Sequence, residues 1–352
     1  MIPLRYVVRR VAVAAALIVA LTFLTFLIYE AIPTQPGRIL LGNNQHPTHA
    51  EVALANHALG VDRPLVTQYA DWLWHAVRGD FGIQWLAASY DYQGHVKGPS
   101  VASALWPATV VSLGVVAGGV LVLLALVVPL AAVCAARPGS RFDKLTAGLL
   151  LVGISTHPLV IGILLQSFAA NKLHWLPNSG YCSISYSNLY FCSGAGAWVE
   201  HLVLPWITFA IFFAALYVRV LRVSLIETLD EPFVSTARAK GASETRVLFR
   251  HALRNALRPI LTMTGMEIGT AVSILVYIEV VFALPGLGRL SLGALNGSQG
   301  YDRPVIAGCV FVIAVAVFGA NLVVDLLYPL IDPRVAASGR APRRFAPRGA
   351  SA

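Results

Sequence analysis

Residues 106–135 read WPATVVSLGVVAGGVLVLLALVVPLAAVCA, thirty positions without one charged side chain. As a helix rising about 1.5 Å per residue, such a run exceeds the roughly 30 Å hydrocarbon core of a bilayer. Working outward, five more segments are apolar enough to span: Val11–Tyr29, Leu145–Ala170, Leu202–Val220, Ile260–Ala283 and Pro304–Tyr328. The whole chain of 352 residues is 57% hydrophobic and 12% charged. Soluble domains carry about 25% charged residues, so a soluble globular protein is excluded. The expected fold is an all-α polytopic membrane protein of six transmembrane helices.

The net charge of +9 does not imply nucleic acid, because the basic residues lie between apolar runs rather than in one patch. Cytoplasmic loops keep Lys and Arg. With the N-terminus inside, nineteen of the 26 basic residues fall on inner segments and seven on outer ones. The expected organisation is a cytoplasmic N-terminus (1–10), a six-span domain (11–332) and a disordered cytoplasmic tail (333–352) that touches anionic lipid. Arg5, Arg9 and Arg10 before an apolar core resemble a signal peptide. The core is too long for one and Ile32-Pro33-Thr34 is a poor cleavage site, so the segment reads as a retained helix.

The outer loop, 33–100, contains helix signals. Thr48-His49-Ala50-Glu51 fits a capping box and Gly60 a C-cap. A second helix is expected with Asp62 as cap and Pro64 just inside. Tyr69, Trp72 and Trp74 suit a membrane–water boundary, and the pair reads as a helical lid on the outer face. Two cysteines, Cys182 and Cys192, fall in another outer loop, where an oxidising compartment favours a disulfide. Cys134 and Cys309 lie in spans and read as inert core thiols.

The segment most informative about function lies between the fourth and fifth spans, within 231–258. Thr236-Ala237-Arg238-Ala239-Lys240-Gly241-Ala242 is followed by Arg246, Arg250, Arg254 and Arg258 at intervals of four, one basic stripe on a helix. Gly241 breaks the segment and its small neighbours allow close approach by another surface. The physical description is a helix–Gly–helix elbow. From spacing alone, a basic amphipathic helix on lipid headgroups fits as well.

This elbow resembles the cytoplasmic coupling loop of ABC importer permeases, of general form Glu-Ala-Ala, three residues, Gly, nine residues, Ile-x-Leu-Pro. Gly241, Ala237 and Leu253 match; Ser235, Thr236, His251 and Arg254 depart. The departures are similar to the subgroup serving dipeptides, oligopeptides and nickel. The resemblance extends to Leu59-Gly60-Val61-Asp62-Arg63-Pro64, Gly79-Asp80-Phe81-Gly82, Leu284-Pro285-Gly286-Leu287-Gly288-Arg289 and Asp332-Pro333-Arg334. The stretch around Trp85–Lys97 and the Cys-containing segment after Tyr181 depart from it.

The resemblance implies a permease subunit lining half of a peptide path by alternating access. It implies as partners a second homologous permease, two ATPase subunits receiving the elbow, and an extracytoplasmic solute-binding protein. ATP and Mg belong to those ATPases. None of the four lysines sits in a P-loop, and no HExxH, CxxC or GxSxG constellation is present, so the chain does not read as an enzyme and no cofactor or metal is expected on it. By the same resemblance, Pro285, Gly286 and Gly288 belong to a re-entrant outer segment. Nickel complexes, haem or another small solute, or ATP-independent secondary transport, are the alternative readings.

Polar groups inside spans need an account, since a mid-bilayer charge costs roughly 2.5–3.5 kcal/mol on insertion scales. Glu267 and Glu279 either face the path or bond between helices, as Asn321 and Asp325 at i,i+4 also could. His157 precedes Pro158 in the third span, where it either bonds a carbonyl freed by the proline or lines the path.

Overall fold

The computed structural model describes residues 4–32, 36–41, 47–90, 96–182, 194–296 and 300–331. Its elements are α1 (Leu4–Ala31), α2 (Pro36–Leu40), α3 (His49–Leu59), α4 (Leu65–Ala76), β1 (Ser89–Tyr90), β2 (Val96–Lys97), α5 (Val101–Ala136), α6 (Arg141–Ser155) and α7 (Pro158–Leu165). There follow α8 (Ala195–Leu229), α9 (Pro232–Ala239), α10 (Glu244–Arg246), α11 (Leu253–Ala256), α12 (Arg258–Val281), α13 (Leu287–Leu295) and α14 (Arg303–Ile331). Wider π-helical turns continue α7 over Gln166–Lys172 and join α10 to α11 over Val247–Ala252. The tail after Ile331 lies outside the described residues.

Among the described residues, four unbroken helices can cross a membrane: α1, α5, α8 and α14. Two bent pairs bring the count to six if each is one span. One, Arg141–Ser155 with Pro158–Lys172, turns by 108°, and the other, Glu244–Gly265 with Glu267–Val281, by 62°. The third span, expected over Leu145–Ala170 with a break at His157-Pro158, is broken there into two helices. Pro158 does not kink a continuous helix; it sits at the first turn of α7, where its missing N–H costs nothing. The fourth span is longer than Leu202–Val220, running from Ala195 to Leu229.

The centre of the fold is the packing of α5 on α8. Gly118 receives the Trp206 indole and Gly119 the Phe209 ring; a Cβ on Gly118 would lie 2.0 Å from Trp206 Cε2, and one on Gly119 2.7 Å from Phe209 Cδ1. Trp206 Nε1 donates to the Gly114 carbonyl at 3.0 Å, so the ring is satisfied as it is buried. In lipid, small residues that let large ones approach a backbone replace the hydrophobic drive available in water. Val115, Leu202, Phe209, Leu221 and Leu225 fill this core. Towards the basic end of α8, Arg222 forks onto Asp143 of α6 with two 2.7 Å bonds.

The long segment between α1 and α5 follows its local signals in part. Thr48 Oγ1 accepts from Glu51 N, Glu51 Oε2 accepts from Thr48 N, and Gly60 caps at φ +68°. The Thr48 N–H holds the Glu51 carboxyl below the usual carboxylate range. Asp62, expected to cap α4, instead meets His57 Nδ1 at 2.7 Å, and Pro64 takes the cap position without a side-chain bond. Tyr69 is buried on α1, its hydroxyl 2.9 Å from both Val19 O and Thr22 Oγ1. Trp74 remains exposed. The stretch around Trp85–Lys97 forms a small antiparallel pair, Ser89 opposite Lys97, the one sheet among the described residues.

Overpacking a filled interface costs about 1–3 kcal/mol. Gly118→Ala is expected to lower the thermal stability of the detergent-solubilised protein by that order. In a double-mutant cycle, Gly118→Ala with Trp206→Ala should cost less than the two separate losses together, because the clash disappears with the indole.

Candidate functional site

The elbow is built by local rules. Glu231 and Pro232 open α9, and Gly241 at φ +79° ends it. Gly241 N donates to Arg238 O at 2.9 Å and Ala242 N to Ala237 O at 3.2 Å, the paired bonds of a Schellman turn. Arg238 then reaches across the bend to Glu244 at 2.9 and 3.3 Å. No atom lies within 4 Å of where a Gly241 side chain would start, so within this chain the glycine is required for its backbone angle, not for close packing.

Beyond the bend the chain separates two faces. Val247, Ala252 and Ala256 are fully buried, Ala252 and Ala256 in the same apolar cluster as Leu221 and Leu225 of α8. Arg246, Arg250, Arg254 and Arg258 are all exposed, as are Thr236, Arg238, Ala239 and Lys240; Ala237, Ala242 and His251 are half-buried. Two residues not singled out from sequence join the exposed face. Phe233 is 42% and Phe249 48% exposed, one on each arm of the elbow. An aromatic ring left open amid cations is the signal that marks them as candidates for a partner surface.

A second constellation sits near the other end of α12. Glu279 is 0% exposed. Ser112 of α5 donates to its Oε1 at 2.6 Å, while the Gly288 and Arg289 N–H groups donate to Oε2 at 2.8 and 3.1 Å. Leu287 N in turn donates to Ser112 Oγ at 2.9 Å. The carboxylate and the serine thus occupy the N-terminus of α13, whose free N–H groups and dipole favour an anion. A Cβ on Gly286 would fall 2.1 Å from Glu279 Oε1, and one on Gly288 2.8 Å from Val276 Cα. The Pro285-Gly286-Leu287-Gly288 turn is glycine-rich because the carboxylate fills the space. Of the two readings left open for Glu279, buried interhelical bonding is the one that fits these distances.

The remaining expected polar residues are dispersed. His157 is exposed and caps α7 with its own ring, Nδ1 accepting from Leu159 N at 3.3 Å, while its face meets Tyr277 edge-on. It bonds no carbonyl freed by the proline. Glu267 is half-buried beside the 62° bend and has no hydrogen bond or ion pair among the described residues. Asn321 donates to Val317 O, and Asp325 pairs with Arg10 of α1 at 2.9 Å, so these two do not bond each other as their spacing allowed. Cys134 and Cys309 are free and buried. Cys182 is disulfide-bonded; Cys192, the partner expected for it, lies outside the described residues.

Asp302 precedes α14 and accepts from Leu86 N at 3.0 Å and Val305 N at 3.3 Å, tying the loop between α4 and α5 to that helix. Burial pushes its carboxyl up and these N–H groups pull it back. The adjoining cavity, about 470 Å³, is lined by Trp72, Asp71, His75, Asp80 and Arg303 among others.

A mostly helical membrane fold with a basic elbow defines a class, and the sequence comparisons agree. Residues 127–337 match the family described as binding-protein-dependent transport system inner membrane component, and residues 3–97 match its N-terminal companion. The chain belongs to this family of multi-pass inner-membrane permeases, the non-catalytic transmembrane subunits of ABC transporters. It is 34% identical to a putative peptide permease protein of Brucella suis biovar 1 over 94% of this chain and 99% of that one. It is 33% identical to a probable peptide ABC transporter permease protein of Sinorhizobium fredii, over 94% and 98%. It is 32% identical to the dipeptide transport system permease protein DppB of Escherichia coli K12, again over 94% and 98%.

Two outcomes follow from the geometry. Glu279→Gln keeps one acceptor for the α13 N–H groups but loses the charge, and should cost about 1–3 kcal/mol; Glu279→Ala, leaving the donors unpaired, should cost more. Melting of the purified protein gives the order. Alkylation without reductant should modify Cys134 and Cys309 only after unfolding and leave Cys182 and Cys192 unlabelled, read as the absence of a mass shift on either.

Proposed function

We propose that this chain forms half of the translocation path of an ATP-driven importer of short peptides. The observation that carries the reading is the elbow. It presents cations and two open phenylalanines on one face, is anchored to α8 on the other, and is held by a glycine with a left-handed backbone. Such a part transmits the movement of a bound partner into a span. The near-full-length likeness to three proteins named as peptide permeases supports the choice of substrate.

In this reading, two separate ATPase subunits hold ATP and Mg and receive the elbows, a second homologous permease completes the path, and an extracytoplasmic binding protein delivers the peptide. Both termini face the cytoplasm, as the distribution of Lys and Arg supports. A coupling role needs a rigid lever, and α8 with its Asp143–Arg222 fork supplies one. Alternating access then follows from tilting spans that are already bent at Thr156–His157 and near Met266.

The complex in liposomes, with binding protein outside and ATP inside, should accumulate tritiated alanyl-alanine, and should not when ATP is replaced by a non-hydrolysable analogue. Gly241→Val, strained at φ +79°, should cut uptake at least about tenfold while the protein melts within a few degrees of wild type. Equal uptake without ATP would refute the proposal.

A further inference from the structure

Between α6 and α8 runs a groove of about 420 Å³ whose walls include Leu150, Leu151, Ile154, Leu216 and Val223. Its two ends are fixed differently. Near one end, α6 meets the α8 backbone in van der Waals contact, the Cβ position at Gly153 lying 3.8 Å from Ile211 O. At the other, the Asp143–Arg222 fork bolts the helices together. That fork neutralises Arg222 but leaves Lys144 and Arg219, which also line the groove. Both are exposed, and no side-chain hydrogen bond or ion pair to either is found among the described residues. The open end therefore carries two uncompensated positive charges above an apolar trough.

The dimensions match one leaflet. From Lys144 to Ile154 is ten helical residues, about 15 Å, and half of a hydrocarbon core of about 30 Å is the same length. The 108° turn after Ser155 ends α6 there, so the trough is about as long as half a hydrocarbon core. The outer surface of α6 around it is apolar as well, with Leu145, Leu149 and Val152 more than 60% exposed.

We propose that this groove is a binding site for one anionic phospholipid, its phosphate between Lys144 and Arg219 and one acyl chain along Leu150, Leu151 and Ile154. Basic pockets on the cytoplasmic side of membrane helices select such headgroups, each cation adding attraction that falls off within a Debye length. The lipid fills space that α6 and α8 leave open between their two fixed points, and braces the lever on which the elbow sits.

Native mass spectrometry of the intact complex, taken from nanodiscs of equal phosphatidylglycerol and phosphatidylcholine, tests this. One phosphatidylglycerol per copy of this chain should survive extraction. The Lys144→Gln/Arg219→Gln variant should bind it at least about tenfold more weakly, with unchanged melting in lipid-free detergent. Ala147→Trp, which fills the groove without touching a charge, should also release it, and inorganic phosphate should not. Retention of phosphatidylcholine as readily as phosphatidylglycerol, or binding unaffected in both variants, would overturn the site. A disulfide from an Ile154→Cys variant to the second permease would overturn it too, by showing that a protein surface covers the groove.

Discussion

A single buried carboxylate holds three separate parts of this molecule together. Glu279 leaves α12, takes a hydroxyl from α5 and two backbone N–H groups from the start of α13, and is wholly removed from solvent. Each partner is costly alone: an unbonded carboxylate in lipid, and orphan N–H groups at a helix start with no water to satisfy them. Together they cancel. The cancellation works only at one relative placement of the elements, so α13 is locked against the core rather than floating at the membrane face. The glycines at 286 and 288 are the steric consequence of that lock.

The same logic recurs at lower stakes around the fold. Asp302 ties Leu86 of the loop between α4 and α5 to α14, and Asp143 ties α6 to α8. Arg10 and Asp325 join the first and last helices. Between these polar fastenings the packing is by size, with Gly118 and Gly119 admitting Trp206 and Phe209. The frame is fastened at few points, and two pairs of consecutive helices meet at bends of 108° and 62°.

Much of this was legible in the sequence where it depends on neighbours along the chain. The spans follow from apolar length, the Thr48–Glu51 capping box from a three-residue spacing, and the Gly241 turn from one glycine between helical runs. What depends on distant residues was not. Asp62 had the right type for a cap, but His57 offered it a closer partner. Asn321 and Asp325 had the right spacing to pair, but Arg10 lies across from α14. Pro158 could be read as breaking a helix, yet its place in the first turn of a new helix capped by His157, and the 108° bend there, could not. The role of Glu279 required Ser112, 167 residues away. Phe233 and Phe249 stand out only once burial shows that they are not core.

The account stands or falls on the elbow having a motor to hold. The direct measurement is purification of the tagged chain from its native membrane in mild detergent, with mass identification of every protein that accompanies it. The account predicts a second, homologous permease and P-loop ATPases in stoichiometric amounts, lost when the exposed face is reversed by Arg250→Glu and Arg254→Glu. Recovery of this chain alone, carrying solute across liposomes without ATP, would contradict it.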